Sequence, residues 1–189
     1  MLFPSPPGAI HGLRSAIQKL GRIFRHDRSG ATAVETALVA VPFFALLIAA
    51  LQLGLVYLCQ SALEIATEKV TRPVLTGTDQ VSGMTQQQFL AALCGNLPSI
   101  LSCSNVMVDA QVYSSFSNSN TSAPTITYNA AGQVSNQWSF NLGSANSIVV
   151  IRVMYLLPVA GTLGFNIANQ QANRHLLLAT AVFKNEPYQ

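Results

Sequence analysis

The chain has 189 residues, a charged fraction of 9% and a formal net charge of +3. Ordinary soluble domains carry about 25% charged residues, so this composition argues against two large soluble domains and leaves room for one modest domain beside a membrane helix. The excess positive charge lies before residue 30, whereas charges are balanced after Leu63, which argues against nucleic acid as a partner because phosphate binding needs clustered cations.

Residues 1–30 form a basic leader. Within it, residues 10–24 have apolar side chains at spacings of three and four, which is typical either of a segment that binds anionic lipid headgroups or of a solvated leader that happens to be patterned. By the positive-inside rule we expect the leader to stay in the cytoplasm and the part after about Leu63 to be exported, in a single pass. The basic residues of the leader are Arg14, Lys19, Arg22, Arg25 and Arg28.

A long helix is predicted over residues 31–72, and its transmembrane part over about 36–59. The 28 residues from Thr36 to Leu63 carry no charge, and about 20 helical residues cover the ~30 Å hydrocarbon layer. Secretory signal peptides have apolar cores of only about 7 to 15 residues, so an anchor is favoured over a removable signal. Pro42 predicts a kink, because it removes one backbone hydrogen bond and crowds the carbonyl of Leu38.

The second half of this helix is amphipathic, with polar residues such as Gln60 and Glu64 opposite an apolar stripe. Such a helix needs a packing surface, either its own exported domain or the helices of neighbouring subunits. The stripe consists of Leu55, Cys59, Ala62, Ala66 and Val70.

Residues 73–189 are predicted to form an exported α+β domain, in which the long helix packs against a small antiparallel sheet. Thr85 and Gln88 resemble a capping box that opens a short helix ending near Gly95. Period-two alternation predicts a strand over 106–113, with Val106, Val108, Ala110 and Val112 on one face. Polar residues 114–136 predict a long loop with a short strand at 125–128, and further strands are predicted over 147–157 and 176–184.

Cys94 and Cys103 lie nine positions apart in the exported part. Exported compartments are oxidising, and closing this short loop is geometrically plausible, so we expect a disulfide; two buried free thiols are the alternative.

The sequence carries no recognisable catalytic or metal-binding motif. His175 is the only histidine after residue 26, the two exported cysteines do not form a short Cys-x-x-Cys pair, and no nucleophile elbow or phosphate-binding glycine loop is present. We therefore expect no enzyme activity, no metal and no cofactor. An anchored hydrolase that uses His175 and a serine is the weaker alternative.

Glu35 is the only charged residue at the start of the apolar helix. A carboxylate carried to the bilayer centre costs about 2.5 to 3.5 kcal/mol, so it is normally paired or functional. Cleavage between Gly30 and Ala31 would create an α-amino group that this carboxylate could neutralise in the same or a neighbouring subunit. Alternatively, Glu35 is an early-turn acid favoured by the helix dipole.

Residues Gly30-Ala31-Thr32-Ala33-Val34-Glu35 resemble the cleavage region of type IV prepilin-like proteins. The wider segment 29–77, with the chain's end at 179–188, is similar to TadE-like pseudopilins of the tight-adherence (Flp) pilus system. One departure is Thr36, where the family often has an aromatic residue.

The resemblance implies a minor pilin-like protein of the bacterial inner membrane that acts in pilus assembly. It implies cleavage after Gly30 by an aspartic prepilin peptidase, with the lipid bilayer, that peptidase, other pilin-like subunits and the assembly machinery as partners. Glu35 would set the axial register of the helices. The alternative is an uncleaved, membrane-anchored exported binding module whose polar loop meets a surface or envelope partner.

Overall fold

A computed structural model describes residues 29–78, 83–161 and 166–187. The basic leader with its amphipathic segment lies outside these residues, apart from Ser29 and Gly30. The chain divides into two compact units, Met1–Ala49 and Ala50–Gln189.

Helix α1 spans Ser29–Leu75. Its sequence contains no turn cluster before Gly77, whose backbone takes a left-handed φ of 82° and whose N–H donates to the carbonyl of Val74 at 3.1 Å. A left-handed residue satisfies the last helical carbonyls and ends the helix. The helix continues through Pro42 and Pro73, and the kink at Pro42 stays a prediction.

Helix α2 spans Gln86–Asn96 and begins with the predicted capping box. The hydroxyl of Thr85 accepts from the N–H of Gln88, while the Gln88 side chain accepts from the N–H of Thr85 at 2.8 Å. Two backbone donors that the first turn leaves unpaired are thereby satisfied. The capping box is confirmed.

Three antiparallel strands form one sheet in the order β1-β2-β3, with β1 at Val106–Tyr113, β2 at Ile148–Pro158 and β3 at Arg174–Lys184. The α+β prediction is confirmed, and each strand lies within two residues of its predicted bounds. Residues 125–128 were expected to form a short strand, but they contain only an isolated bridge between Tyr128 and Val134. The reason is that residues 129–133 turn tightly on themselves, with both Ala131 N–H and Gln133 N–H donating to the Asn129 side chain.

The core lies between one face of the sheet and the C-terminal part of α1. The amphipathic pattern left two packing surfaces open for the helix, its own exported domain and the helices of neighbouring subunits. The structure shows that the helix packs against the chain's own sheet. Leu55 is 42% exposed, contrary to the predicted stripe, because the buried stripe of the helix begins only at Cys59. The buried apolar residues of the helix are Cys59, Leu63, Ala66, Val70 and Val74, and they share a cluster with Val149, Ile151, Val153, Tyr155 and Leu157 of β2.

The opposite face of β2 is buried as well, at Val150, Arg152, Met154 and Leu156, and the polar loop contacts it through Ser122. Asp109, expected on the solvent side of β1, is 2% exposed and pairs with Arg152 of β2. Val112, expected in the core, is 40% exposed. It lies near the end of an edge strand, past the position where residues 139–141 pair with Ala110. The alternating pattern therefore identified the strand but misplaced these two side chains.

Candidate functional site

Gly30 and Ala31, the residues on either side of the predicted cleavage site, lie in the first turn of α1 and are exposed. A Cβ added at Gly30 would meet no atom within 4 Å. Glycine in a helix costs about 1 kcal/mol relative to alanine. Neither packing nor a special backbone angle in the described structure therefore requires glycine at this position.

Glu35 lies one turn further along α1, and its side chain is exposed. Among the described residues the only ion pair is the one between Asp109 and Arg152, so the Glu35 carboxylate has no cationic partner within this part of the chain. The neighbouring Thr36 hydroxyl donates to the carbonyl of Thr32 at 2.7 Å. The helix itself thus satisfies that hydroxyl, which suits it to an apolar setting.

A shallow hollow runs along this face of the helix from Glu35 towards two aromatic rings. The rings of Phe43 and Phe44 meet edge to face, with their centroids 5.5 Å apart. The carboxylate therefore lies at the end of an otherwise largely apolar surface. The hollow is lined by Glu35, Thr36, Val39, Ala40, Phe43 and Phe44.

The helix from Gly30 to Leu75 is long and apolar enough to cross a membrane. Its most apolar 18-residue window has no buried residues, unlike the core helix of a soluble protein. Large apolar side chains such as Leu38, Val41 and Leu46 are 65% or more exposed. Contiguous apolar surface of this kind indicates contact with lipid or with other helices.

Two glutamines in the second half of the uncharged run attach α1 to the domain that follows it. Gln52 donates to the carbonyl of Ala160 at 3.1 Å, and Gln60 donates to the carbonyl of Leu178 at 2.9 Å. Sequence alone left the role of Gln52 undecided and gave Gln60 only a place on the polar side. Their partners are more than 100 positions away, so no local pattern could reveal them.

These features of the helix agree with a comparison against known families. Residues 30–72 match the family model of TadE-like proteins. The match covers most of α1 and begins at the glycine of the predicted cleavage site. The recognition from the sequence is confirmed for this TadE-like segment, and the match together with the exposed apolar helix fits a membrane protein associated with a Tad pilus. No curated protein and no solved structure matches the chain.

The other residues that the sequence analysis considered, His175, Cys94 and Cys103, make contacts that stabilise the fold. His175 Nδ1 lies 2.6 Å from the carbonyl oxygen of Ile167, a contact that holds the segment before β3. The part of the chain that the structure describes contains no cluster of three metal-ligating side chains. The TadE-like family is not a known enzyme family. Cys94 and Cys103 form a disulfide with an Sγ–Sγ distance of 2.06 Å, which joins the end of α2 to the turn before β1.

The buried pair of Asp109 and Arg152 was missed by sequence reasoning, which only counted both residues in the balance of charges after Leu63. Arg152 Nε donates to Asp109 Oδ2 at 3.1 Å, and the backbone N–H of Ser139 donates to Asp109 Oδ1 at 3.0 Å. Arg152 also donates to the carbonyl of Ser122 at 3.4 Å. The pair therefore ties Ser122 of the polar loop, and Ser139 just after that loop, to the sheet. An arginine inside the apolar run of β2 was the available signal.

Proposed function

We propose that this chain is a minor pilin-like, TadE-like membrane protein that acts in the biogenesis of a tight-adherence (Flp, type IVb-like) pilus. The observation that carries the proposal is the family match over residues 30–72. This segment contains both the predicted cleavage site and the exposed apolar helix. An apolar helix of this kind suits a subunit that first resides in a membrane and then joins a bundle of similar helices.

Processing by a prepilin peptidase after Gly30 is part of the proposal. Gly30 is supported as a recognition residue because the described structure leaves room for a side chain there, while helix propensity favours alanine. Ala31 is exposed, at the N-terminal end of the described part of α1, so its side chain leaves the proposed cleavage site open to a peptidase.

Glu35 is proposed to meet the new α-amino group of Ala31, in its own subunit or in a neighbour. An unpaired carboxylate in a dry helix bundle is costly, so subunits would align where the two charges meet. The absence of a cation beside Glu35 among the described residues supports a partner that appears only after cleavage or assembly.

We place the protein in the bacterial inner membrane with its N-terminus in the cytoplasm and residues 73–189 exported. The cluster of basic residues before Gly30 supports this orientation. The prepilin peptidase, other pilin-like subunits and the assembly machinery are its proposed partners.

N-terminal sequencing of the purified protein tests the cleavage directly. The full chain is produced with and without a co-expressed prepilin peptidase, and the peptidase should yield a product that begins at Ala31. A Gly30→Leu variant should remain uncut, whereas a control Ala33→Leu variant, which adds the same bulk three residues later, should still be cut. A protein that keeps its leader beside an active peptidase would favour the uncleaved anchored binding module instead.

A further inference from the structure

The outer edge of β1 is covered by another part of the chain. Ala110 N–H donates to the carbonyl of Ser139 at 2.8 Å, and Asn141 N–H donates to the carbonyl of Ala110 at 2.9 Å. Exposed sheet edges offer unpaired N–H and C=O groups to any extended chain, so proteins usually cover them. On this side of the sheet, part of the edge is covered in that way.

Among the residues that the structure describes, the outer edge of β3 is covered over its first half only. Asn169 Oδ1 accepts from the N–H of Leu176 at 2.8 Å, and Gln60 Nε2 donates to the carbonyl of Leu178 at 2.9 Å. In an antiparallel ladder, backbone groups point alternately towards and away from the neighbouring strand. The backbone groups of Leu176 and Leu178 point away from β2, so those of Thr180, Val182 and Lys184 point away from β2 as well.

These three residues have no backbone partner on that side among residues 29–78, 83–161 and 166–187. Each presents one donor and one acceptor. We call the stretch from Thr180 to Lys184 the open edge. It is long enough for about six hydrogen bonds to an added strand, because each outward residue exchanges two with its counterpart.

An acidic groove adjoins the open edge. It has a volume of about 270 Å³ and lies between α1 and β3. The hydroxyls of its two buried threonines, Thr67 and Thr71, donate to carbonyls within α1, so they are satisfied without a ligand. Glu64 and Glu68 are exposed on its wall, and no cation is among the described residues that line it. The lining consists of Glu64, Thr67, Glu68, Thr71, Ala179, Thr180 and Ala181.

A second copy of this chain does not suit the open edge. Two identical edges pair through a two-fold axis and so run antiparallel. Gln60 contacts Leu178, and the carbonyl of Leu75 accepts from the N–H of Glu186, so α1 runs in the same direction as β3. In a dimer paired through this edge, the two-fold axis would therefore make the α1 helices of the two copies run in opposite directions. This step rests on the proposed membrane anchoring, because two chains in one membrane enter their domains from the same side.

We propose that the open edge of β3 binds an extended basic segment of a different protein as a fourth, antiparallel strand. Side chains of such a strand alternate between the two faces of the sheet. Those on the helix face would be lysine or arginine, beside Glu64 and Glu68. Those on the other face would lie beside Thr180, Val182 and Lys184 and would be uncharged. Backbone hydrogen bonds give this mode its affinity, and alternate side chains give its specificity.

The experiment uses the full chain in detergent and a capped heptapeptide in which lysine alternates with threonine. In the proposed arrangement the threonine amides bond to β3 and the lysines face the glutamates. N-methylation of the threonines should therefore weaken binding at least about tenfold, while N-methylation of the lysines removes no hydrogen bond to β3. Equal binding by the two methylated peptides, or no binding by the unmodified peptide, would overturn the proposal.

Amide hydrogen exchange locates the bound peptide. Exchange at Thr180, Val182 and Lys184 should slow about tenfold or more, while the amides of Ala181 and Phe183, which already bond to β2, should change little. Slowing at high protein concentration without peptide would instead indicate a second copy and would overturn the choice of occupant. The exchange rates do not depend on leader cleavage, so they still test peptide binding at the open edge if the proposed function fails.

A charge variant checks the groove separately. The double variant Glu64→Gln and Glu68→Gln should weaken lysine peptide binding severalfold, and binding of a peptide with glutamate in place of lysine should improve. Glu186→Gln removes an exposed carboxylate outside the groove lining and serves as the matched control. If the control and the double variant weaken binding equally, the acidic groove has no part in recognition.

Discussion

At the scale of single residues, Glu35 is the only charged side chain from Ser29 to Leu63. Replacing it with glutamine keeps size and hydrogen bonding but removes the charge that would meet a free amino terminus. We expect Glu35→Gln and Glu35→Ala to reduce pilus assembly about tenfold or more, since losing about 1.4 kcal/mol per contact already gives that factor. Membrane insertion and cleavage should be unchanged, as measured by fractionation and N-terminal sequencing.

Thr36→Val is the control for this substitution. It alters the neighbouring side chain, whose hydroxyl bonds only within the helix, and leaves the carboxylate in place. Normal pili in the Glu35 variants would contradict the register role and would support the reading of Glu35 as an early-turn acid beside the helix dipole.

The buried pair of Asp109 and Arg152 gives a stability prediction at the same scale. Asp109→Ala leaves a buried guanidinium without its counter-ion and the N–H of Ser139 without its acceptor, so we expect the free energy of unfolding to fall by about 3 to 5 kcal/mol. The double variant Asp109→Leu with Arg152→Met should lose much less, because it leaves no unpaired charge. Urea unfolding in detergent, followed by fluorescence of the single tryptophan, Trp138, measures both.

Trp138 is a suitable reporter because it precedes Ser139, whose N–H is bonded to Asp109. Equal losses of stability in the single and double variants would indicate that packing, rather than the unpaired charge, sets the cost.

At the scale of elements, the disulfide joins α2 to the segment before β1. We expect Cys94 and Cys103 to resist alkylation until reductant is added, and Cys94→Ser with Cys103→Ser to lower the free energy of unfolding by roughly 2 to 3 kcal/mol, as loop-closure entropy gives for so short a loop. Mass spectrometry after alkylation counts the thiols. Cys59 is buried and free, so alkylation of the denatured protein without reductant should modify one thiol. Three modified thiols would contradict the disulfide.

Elements with a local signal could be predicted from the sequence. The capping box at Thr85 depends on two residues three positions apart, and the strands show an alternation of apolar and polar residues. A single short segment carries each of these signals. The partner of each strand, and the burial of Asp109, depend on register across positions such as Asp109 and Arg152, which are 43 residues apart. Such contacts leave no pattern in one segment, and for this reason the contact of Gln60 with Leu178 could not be predicted either.

The candidate site shows the same division. Gly30, Ala31 and Glu35 could be proposed from the sequence because cleavage and insertion signals lie in short, contiguous segments, and their roles stay predictions. The open edge of β3 was not found, because its definition requires knowing which backbone groups the rest of the fold has already paired. A strand sequence such as Thr180 to Lys184 gives no sign of which of its two edges is free.

At the scale of the whole molecule, the proposed orientation in the membrane rests on the basic residues of the leader, which lie outside the described structure. Replacing the five basic leader residues with glutamine should leave the apolar helix able to insert but remove the bias that keeps the leader in the cytoplasm. With alkaline phosphatase fused to the C-terminus, which is active only after export, we expect activity to fall by roughly half or more as inverted chains accumulate. Replacing the four leader arginines with lysine conserves charge and should leave activity unchanged. Full phosphatase activity after neutralisation would show that the length and hydrophobicity of α1, rather than the leader, determine the orientation.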